Sequence, residues 1–394
     1  MRGLQGDGVY RIVFDKLATM KSESEVEQHR VELGATTRQE IRQEPDAIRH
    51  ALDQDQNIKI IAQQIFDKNP CVIIITGSGT SSHAGAAGTF FLHIFAKVYS
   101  YCLEPSEFPY YIEDVLDSSS SVVLALSQSG ESPETLQACE IAKDKGSFVA
   151  AITNTPGSSL NQMFPETTIF TDAGEERSVL ATKTYSSQLA IVAALALELG
   201  LVSGKLDESE YKLKMRELEV VPDRIEVMTP LIQETAKSLG KYLKFLQKAF
   251  VLGTGPDVPT ALEAALKLKE GARIVAQGYS APEFSHGPLT LADRETLIIV
   301  LIPNMSDGIN DTREKIIYRI IERVKEQGAS VLAISTADEN IPSPIDFRIN
   351  LPKGPMEFNP LIAIVPIQYL VLEIAIQKGL NPDHPEFLTK VSRI

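Results

Sequence analysis

The chain has 394 residues, of which 43% are hydrophobic and 23% charged, a balance that suits roughly two to three globular domains and excludes a disordered chain. Its formal net charge of -14 argues against duplex nucleic acid as a partner, because a phosphate backbone calls for basic surface. A small anion is not excluded, since backbone N–H groups and hydroxyls can hold one inside an acidic protein.

Residues 1–36 are polar and mixed and read as a leader, without the continuous apolar region of a secretory signal. Thr37 to Leu52 reads as a helix, a break at the proline and a second helix, and residues 55–68 continue as an amphipathic helix. Cys71 to Thr76 (CVIIIT), bounded by Pro70, Gly77 and Gly79, is apolar on both faces and predicts a buried parallel strand. Val122 to Leu126, Phe148 to Thr153 and Thr168 to Thr171 predict further strands. Helices are expected between them at His83 to Tyr99, Pro133 to Lys145 and Thr184 to Leu199. This alternation predicts βαβ units and a parallel sheet. The longest apolar stretch, Leu189 to Leu197, falls far short of the ~20 residues that span a membrane, so no membrane association is expected.

The second half echoes the first. Gly77 and Gly253 are 176 residues apart, as are Val123 and Ile299, while Ala150 and Leu332 are 182 apart. The strands at Phe250 to Gly255, Ile299 to Ile302 and Ser330 to Ser335 therefore predict a second, homologous α/β domain. The expected division is a first domain over 37–205 with its N-terminal helices, a charged helical linker over 206–235, a second domain over 236–380 and a C-terminal loop over 381–394.

Two strands of the first half run into GSGTSSHAG (77–85) and SQSGESPET (127–135). Glycine lets a backbone approach an anion, hydroxyls donate to it, and the N-terminus of the following helix adds positive potential. In open α/β sheets ligands sit at these strand ends, so the two loops predict a phosphate site. Neither carries the lysine of a P-loop or a dinucleotide fingerprint. The matching loops of the second half, GTGPDVP (253–259) and IPNMSD (302–307), lack this serine-rich character. Further on, Lys267, Lys269 and Glu270 crowd one helix, and His286 lies in GYSAPEFSHGPLTLAD (278–293). Glu270 and His286 could form an acid–base pair for carbonyl–enol chemistry. The three cysteines, Cys71, Cys102 and Cys139, fit no metal or disulfide spacing and are expected as reduced, structural thiols of a cytoplasmic protein. No cofactor or metal is signalled.

GTSSHAG, LSQSGESPET, ATKTYSSQLA, ALEAALKLKEGA, EFSHGPLTL and the final FLTKVSRI, in this order from residue 37 onward, resemble the sugar isomerase (SIS) family. The resemblance is strongest to the isomerase half of glucosamine-6-phosphate synthases and to stand-alone SIS-type deaminases. It implies two tandem flavodoxin-like domains. It implies phosphate and sugar binding by Gly79, Thr80, Ser81, Ser127, Gln128, Ser129, Ser132, Thr135 and Ala181. It further implies Glu270 as the carboxylate that moves a proton between C1 and C2, with Lys267 one turn before it. His286 would assist ring opening from a neighbouring subunit of a homodimer, and Lys390 would belong to the loop that closes over the sugar. Two features depart from the synthase pattern. The first cysteine is Cys71, on a predicted core strand, so no glutaminase nucleophile is expected. Ala181 stands where the synthases carry serine, and Glu175-Glu176-Arg177 resembles the deaminase branch. The expected activity is conversion of glucosamine 6-phosphate to fructose 6-phosphate and ammonia. Another phosphosugar aldose–ketose isomerisation, ammonia-dependent synthesis, a fructosamine-6-phosphate-type deglycase and a non-catalytic phosphosugar sensor stay open as alternatives.

Overall fold

The β-branched runs that are apolar on both faces become the centres of two sheets, as the pattern predicts. The computed structural model describes residues 33–116, 120–302, 311–336, 341 and 344–390; the leader up to residue 32, the IPNMSD segment after Ile302 and residues 391–394 of the C-terminal loop lie outside them. In the first sheet β1 (Val72–Thr76) pairs with β3 (Ser121–Ser127), Val72 opposite Ser121 and Thr76 opposite Ala125. β4 (Phe148–Thr153) and β5 (Thr168–Phe170) extend it on one side and β2 (Ser100–Leu103) on the other, giving the all-parallel order β2-β1-β3-β4-β5. The second sheet holds β6 (Lys248–Gly253), β7 (Val275–Ser280), β8 (Thr296–Ile302), β9 (Ser330–Thr336) and β10 (Phe347–Leu351), in the order β10-β9-β8-β6-β7. Read from its own first strand, that is the same flavodoxin-like order, with a topological switch point between the first and third strands of each sheet.

The repeat extends to the helices. α1 (Ala35–Arg42), α2 (Glu44–Leu52) and α3 (Asp55–Asp67) precede the first sheet, and α4 (Thr80–Phe91) and α5 (Pro133–Asp144) follow β1 and β3. α6 (Lys183–Val202) ends the first repeat, and α7 (Glu208–Glu219) and α8 (Val221–Leu243) lead to the second, which adds α9 (Asp257–Ala272), α10 (Asp311–Glu326) and α11 (Asn359–Gln377). α3 and α8 end 176 residues apart, and α6 and α11 begin 176 apart. α4 packs on α9 and α8 on α11. Inner faces of both sheets and these helices share one continuous apolar core, from Ile73 and Leu124 through Val192 to Val251 and Leu332.

Several expectations need correction. The helix expected over His83 to Tyr99 stops at Phe91, passes through a π-helical turn at Leu92–Ala96 and ends at Lys97, whose φ is 53°. The chain then forms edge strand β2, which the sequence reading missed. β7 and β10 were missed too. β2 and β7 are partly exposed edge strands without the uninterrupted apolar character of a central one. The proline break falls at Gln43, and Pro45 opens the second helix, where its missing N–H costs nothing. Cys71 is exposed just ahead of β1 and is no core residue. α6 and the segment 356–377 are, by length and composition, apolar enough to span a membrane, yet 89% and 100% of their apolar windows are buried inside the protein. A helix apolar all round is a core helix when protein surrounds it.

Where the helices of the two repeats meet, Glu44 is fully buried. Ser186 donates to one of its oxygens at 3.2 Å, and the other has no hydrogen-bond partner. Burial raises its carboxyl to about 8. Across pH 4.5 to about 8 the folded chain then holds a proton that the unfolded chain has released. Stability accordingly falls as pH rises through that window. Glu44→Gln should melt close to wild type at pH 5 and above it at pH 8, by the equivalent of a few kcal/mol. Parallel melting curves at the two pH values would show that Glu44 carries no such proton.

Candidate active site

The switch point of the first sheet lies between β1 and β3, and the loops leaving these two strands face each other across it. Gly79, at the N-terminus of α4, has φ 57° and ψ -124°, a backbone conformation open to glycine alone. Gly130 has φ 67°, and a Cβ there would come within 2.2 Å of the Ser158 hydroxyl. These glycines turn the loops tightly, so that Thr80 and Ser81 start α4 and Ser132 precedes α5. Neither helix has a side-chain cap, which suits their first turns to an anion, although the Ser81 amide already donates to the Ser78 carbonyl at 3.1 Å. The two loops touch through Ser78 and Ser132, whose hydroxyls are 3.2 Å apart. Gln188 of α6 donates to the Ser81 hydroxyl at 3.1 Å, and Ser127 accepts from the Gly130 amide at 3.1 Å.

The second repeat supplies the opposite wall. On α9, Glu263, Lys267 and Glu270 fall at i, i+4 and i+7, one helical face. That face is turned toward the first repeat's loops. Lys267 Nζ lies 2.7 Å from Glu270 Oε2 and 3.3 Å from Glu263 Oε1, with 2% of its side chain exposed. It also donates to Thr80 Oγ1 at 3.1 Å. Burial works against the charge on Lys267, but the two carboxylates outweigh it and hold the ammonium above the usual lysine range. Burial likewise opposes ionisation of Glu263, and Lys267, His83 and Thr80 reverse the balance and hold its carboxyl below the usual range. Glu270 is the more open of the two carboxylates, with 19% of its side chain exposed against 1% for Glu263.

The loops and α9 enclose a cavity of about 260 Å³. It is lined by Gly79, Thr80, Ser81, Ser127, Gln128, Ser129, Ser132, Ala181, Lys267, Glu270 and Lys390, all singled out from the sequence. Two expected residues are not in its lining. Thr135 is buried one turn into α5, its hydroxyl without a hydrogen-bond partner. His286 is exposed on the surface after β7. Ser78, Leu126, Glu134, Val179, Leu388 and Thr389 also line the cavity and were not predicted. Glu263 and His83, behind the lining, were missed as well. The helical spacing of Glu263 to Lys267 and Glu270 was a readable signal for the first, and the second lies within the GTSSHAG motif, which marks the loop but not the partner of its histidine.

The cavity rim is held by a buried carboxylate. Glu176 accepts from the Thr182 and Thr184 amides at 2.9 and 3.2 Å and from the Thr184 hydroxyl at 2.7 Å, which caps the start of α6. Lys390 Nζ donates to Glu176 at 2.7 Å and to the Ser178 carbonyl at 2.6 Å. Burial pushes the Glu176 carboxyl up, but Lys390 and the capping donors prevail and hold it low. Glu40 of α1 accepts from the amides of Arg177 and Ser178, and Asp383 accepts from the Thr37 amide and hydroxyl, both at 2.7 Å. Helix α1 and the C-terminal segment therefore grip the strip that carries Val179 and Ala181 from both sides.

The sequence matches the family model of the SIS domain twice, over residues 65–198 and 246–378. It is 35% identical over 354 residues to the glutamine–fructose-6-phosphate aminotransferase (isomerizing) of Thermococcus kodakarensis, covering 89% of this chain and 56% of that protein. To the aminotransferase of the same name from Pyrococcus horikoshii it is 39% identical over 318 residues, 81% of this chain and 51% of that protein. The chain thus spans about half the length of these relatives. Among solved structures, the C-terminal domain of glucosamine-fructose-6-phosphate aminotransferase from Francisella tularensis superposes with a TM-score of 0.78 at 27% identity, over 87% of this chain and 96% of that one. Glucosamine-6-phosphate deaminase from Thermotoga maritima shares the fold, with a TM-score of 0.64 at 20% identity over 88% of this chain and 98% of that one. With two matched copies and a common architecture over most of its length, the chain belongs to the SIS domain family, as its motifs predicted.

Proposed function

We propose that this chain deaminates and isomerises an amino-sugar phosphate, converting glucosamine 6-phosphate to fructose 6-phosphate and ammonia. The observation that supports it most is the pairing of Glu270 with Lys267, 2.7 Å apart, in the same cavity as the serine loops. The hydroxyls of Ser81, Ser127, Ser129 and Ser132 and the two open helix N-termini suit the phosphate. The far wall then meets the carbonyl end of an opened sugar. Holding a remote phosphate in this way orients the reacting carbons.

In this reading Glu270 takes the proton from C2 of the open-chain amino aldehyde while the Lys267 ammonium supplies a proton to the C1 oxygen. The result is an enolamine. Glu270 returns its proton at C1, which leaves C1 as a hydroxymethyl group and C2 as an iminium. Water adds at C2, ammonia leaves, the proton released as the ketone of fructose 6-phosphate forms returns to Lys267, and the ammonium is restored. Lys390 comes from the cavity rim, where it is tied to Glu176, and a loop carrying a cation there suits closure over the sugar. His286 is exposed outside its own chain's cavity, which fits the proposal that it serves the site of a second subunit in a homodimer. The three cysteines are unpaired, which supports a reducing, cytoplasmic setting. The aminotransferase relatives favour one second reading, the same steps run in reverse with free ammonia and fructose 6-phosphate.

Purified protein should release ammonia from glucosamine 6-phosphate, and Glu270→Gln should lower kcat by about 100-fold or more. Activity seen only from fructose 6-phosphate and ammonium would select the second reading, and release unaffected by Glu270→Gln would remove Glu270 from its role. The double change Ser129→Ala with Ser132→Ala should raise KM about 10-fold or more and leave kcat within a few-fold, since it removes donors that hold ground state and transition state alike. An unchanged KM would move the phosphate elsewhere. Equal mixing of dissociated Glu270→Gln and His286→Ala chains should restore roughly a quarter of wild-type activity if each site draws on two subunits. No recovery, from two variants each inactive alone, would place His286 in its own chain's chemistry.

A further inference from the structure

We propose that His83 is a positioning residue of this site, acting through Glu263 to keep the Lys267 ammonium on Glu270; the inference rests on the proton-transfer reading above. His83 is on α4, the first repeat's helix behind the phosphate loop. Its Nδ1 lies 2.7 Å from Glu263 Oε2 on α9. A carboxylate oxygen only accepts, so Nδ1 carries a hydrogen. The other Glu263 oxygen takes Thr80 Oγ1 at 3.0 Å and Lys267 Nζ at 3.3 Å. Glu263 is 1% exposed and His83 21% exposed. His83 is thus the donor through which a buried carboxylate reaches the edge of the protein.

The geometry sets up a competition. Lys267 has two anionic partners, and the nearer is Glu270, at 2.7 Å against 3.3 Å for Glu263. Glu263 can leave the ammonium to Glu270 because His83 and Thr80 satisfy it. The groups that bear on Glu263 are His83 and Thr80 from α4, Lys267 on its own helix, and Tyr185 of α6. Without His83, Oε2 of a buried carboxylate has no donor, and a buried unmatched acceptor is costly. Among the described residues Lys267 is the cation that remains beside Glu263, so it is drawn toward Glu263 and away from Glu270. Of the first phosphate loop, Thr80 bonds to this link, whereas the Ser127, Ser129 and Ser132 hydroxyls of the second bond within the loops and stand apart from it. The effect should therefore fall on kcat and leave KM nearly unchanged.

The test is His83→Leu, which removes the donor, beside His83→Gln, which keeps one. In a crystal structure of His83→Leu, Lys267 Nζ should sit closer to Glu263 than to Glu270, reversing the present order; Lys267 unmoved would overturn the proposal even if no substrate were known. In kinetics with glucosamine 6-phosphate, and in exchange of the C1 and C2 hydrogens with deuterated solvent, kcat should fall about 10- to 100-fold with KM within about 2-fold. His83→Gln should recover most of the loss. A wild type without deamination or exchange would sink the functional reading and leave the crystallographic arm to judge His83. A wild type that reacts, with His83→Leu equally fast or altered in KM alone, would sink the His83 role and spare the function. If the leucine chain does not fold, His83→Ala is measured with and without Glu263→Gln. Its effect should shrink to less than about 2-fold once Glu263 is neutral, and an equal loss in both backgrounds would overturn the link.

Discussion

A lysine ammonium with 2% of its side chain exposed keeps its charge only because carboxylates flank it. Lys267 and its partners Glu263 and Glu270 are the constraint on which this site depends. All three sit on α9 of the second repeat, yet Thr80 and His83 of the first repeat complete their contacts. Separating the repeats would take Thr80 and His83 away from Glu263 and Lys267 and open the three charges to water. The site is therefore an interface property, and the shared apolar core fixes how the two repeats meet.

The repeats have one architecture and unequal chemistry. The residues 176 positions before Lys267 and Glu270 are Phe91 and Ile94, apolar groups in the same shared core. The residue 176 positions after Ser81 is Asp257, fully buried at the start of α9. Asn359 donates to one of its oxygens at 2.7 Å, and burial raises the carboxyl to about 7. A carboxylate in the place of a serine suits no phosphate. The first repeat thus supplies the serine loops of the cavity and the second its titratable wall.

The central strands were legible because burial on both faces leaves an unbroken apolar run, as in Ile73 to Ile75 and Leu297 to Ile302. The serine loops were legible because glycine and hydroxyl residues cluster where strands end. Edge strands β2 and β7 were not legible, since partial exposure mixes their pattern. Glu263 has the right spacing, but an i, i+4, i+7 set of charges also describes a solvated helix face, and only packing against α4 tells the two apart. The contact of His83 with Glu263 bridges 180 residues, a separation at which no local pattern operates. The EER segment read as a family marker acquires a physical role, with Glu176 capping α6 and anchoring Lys390.

The most direct measurement is a crystal structure of Glu270→Gln with fructose 6-phosphate bound. The proposed function places the phosphate among Ser81, Ser127, Ser129 and Ser132, and C1 and C2 within about 3.5 Å of the side chain at position 270. A phosphate bound at the second repeat's loops, or a sugar whose C1 and C2 lie away from α9, would contradict it.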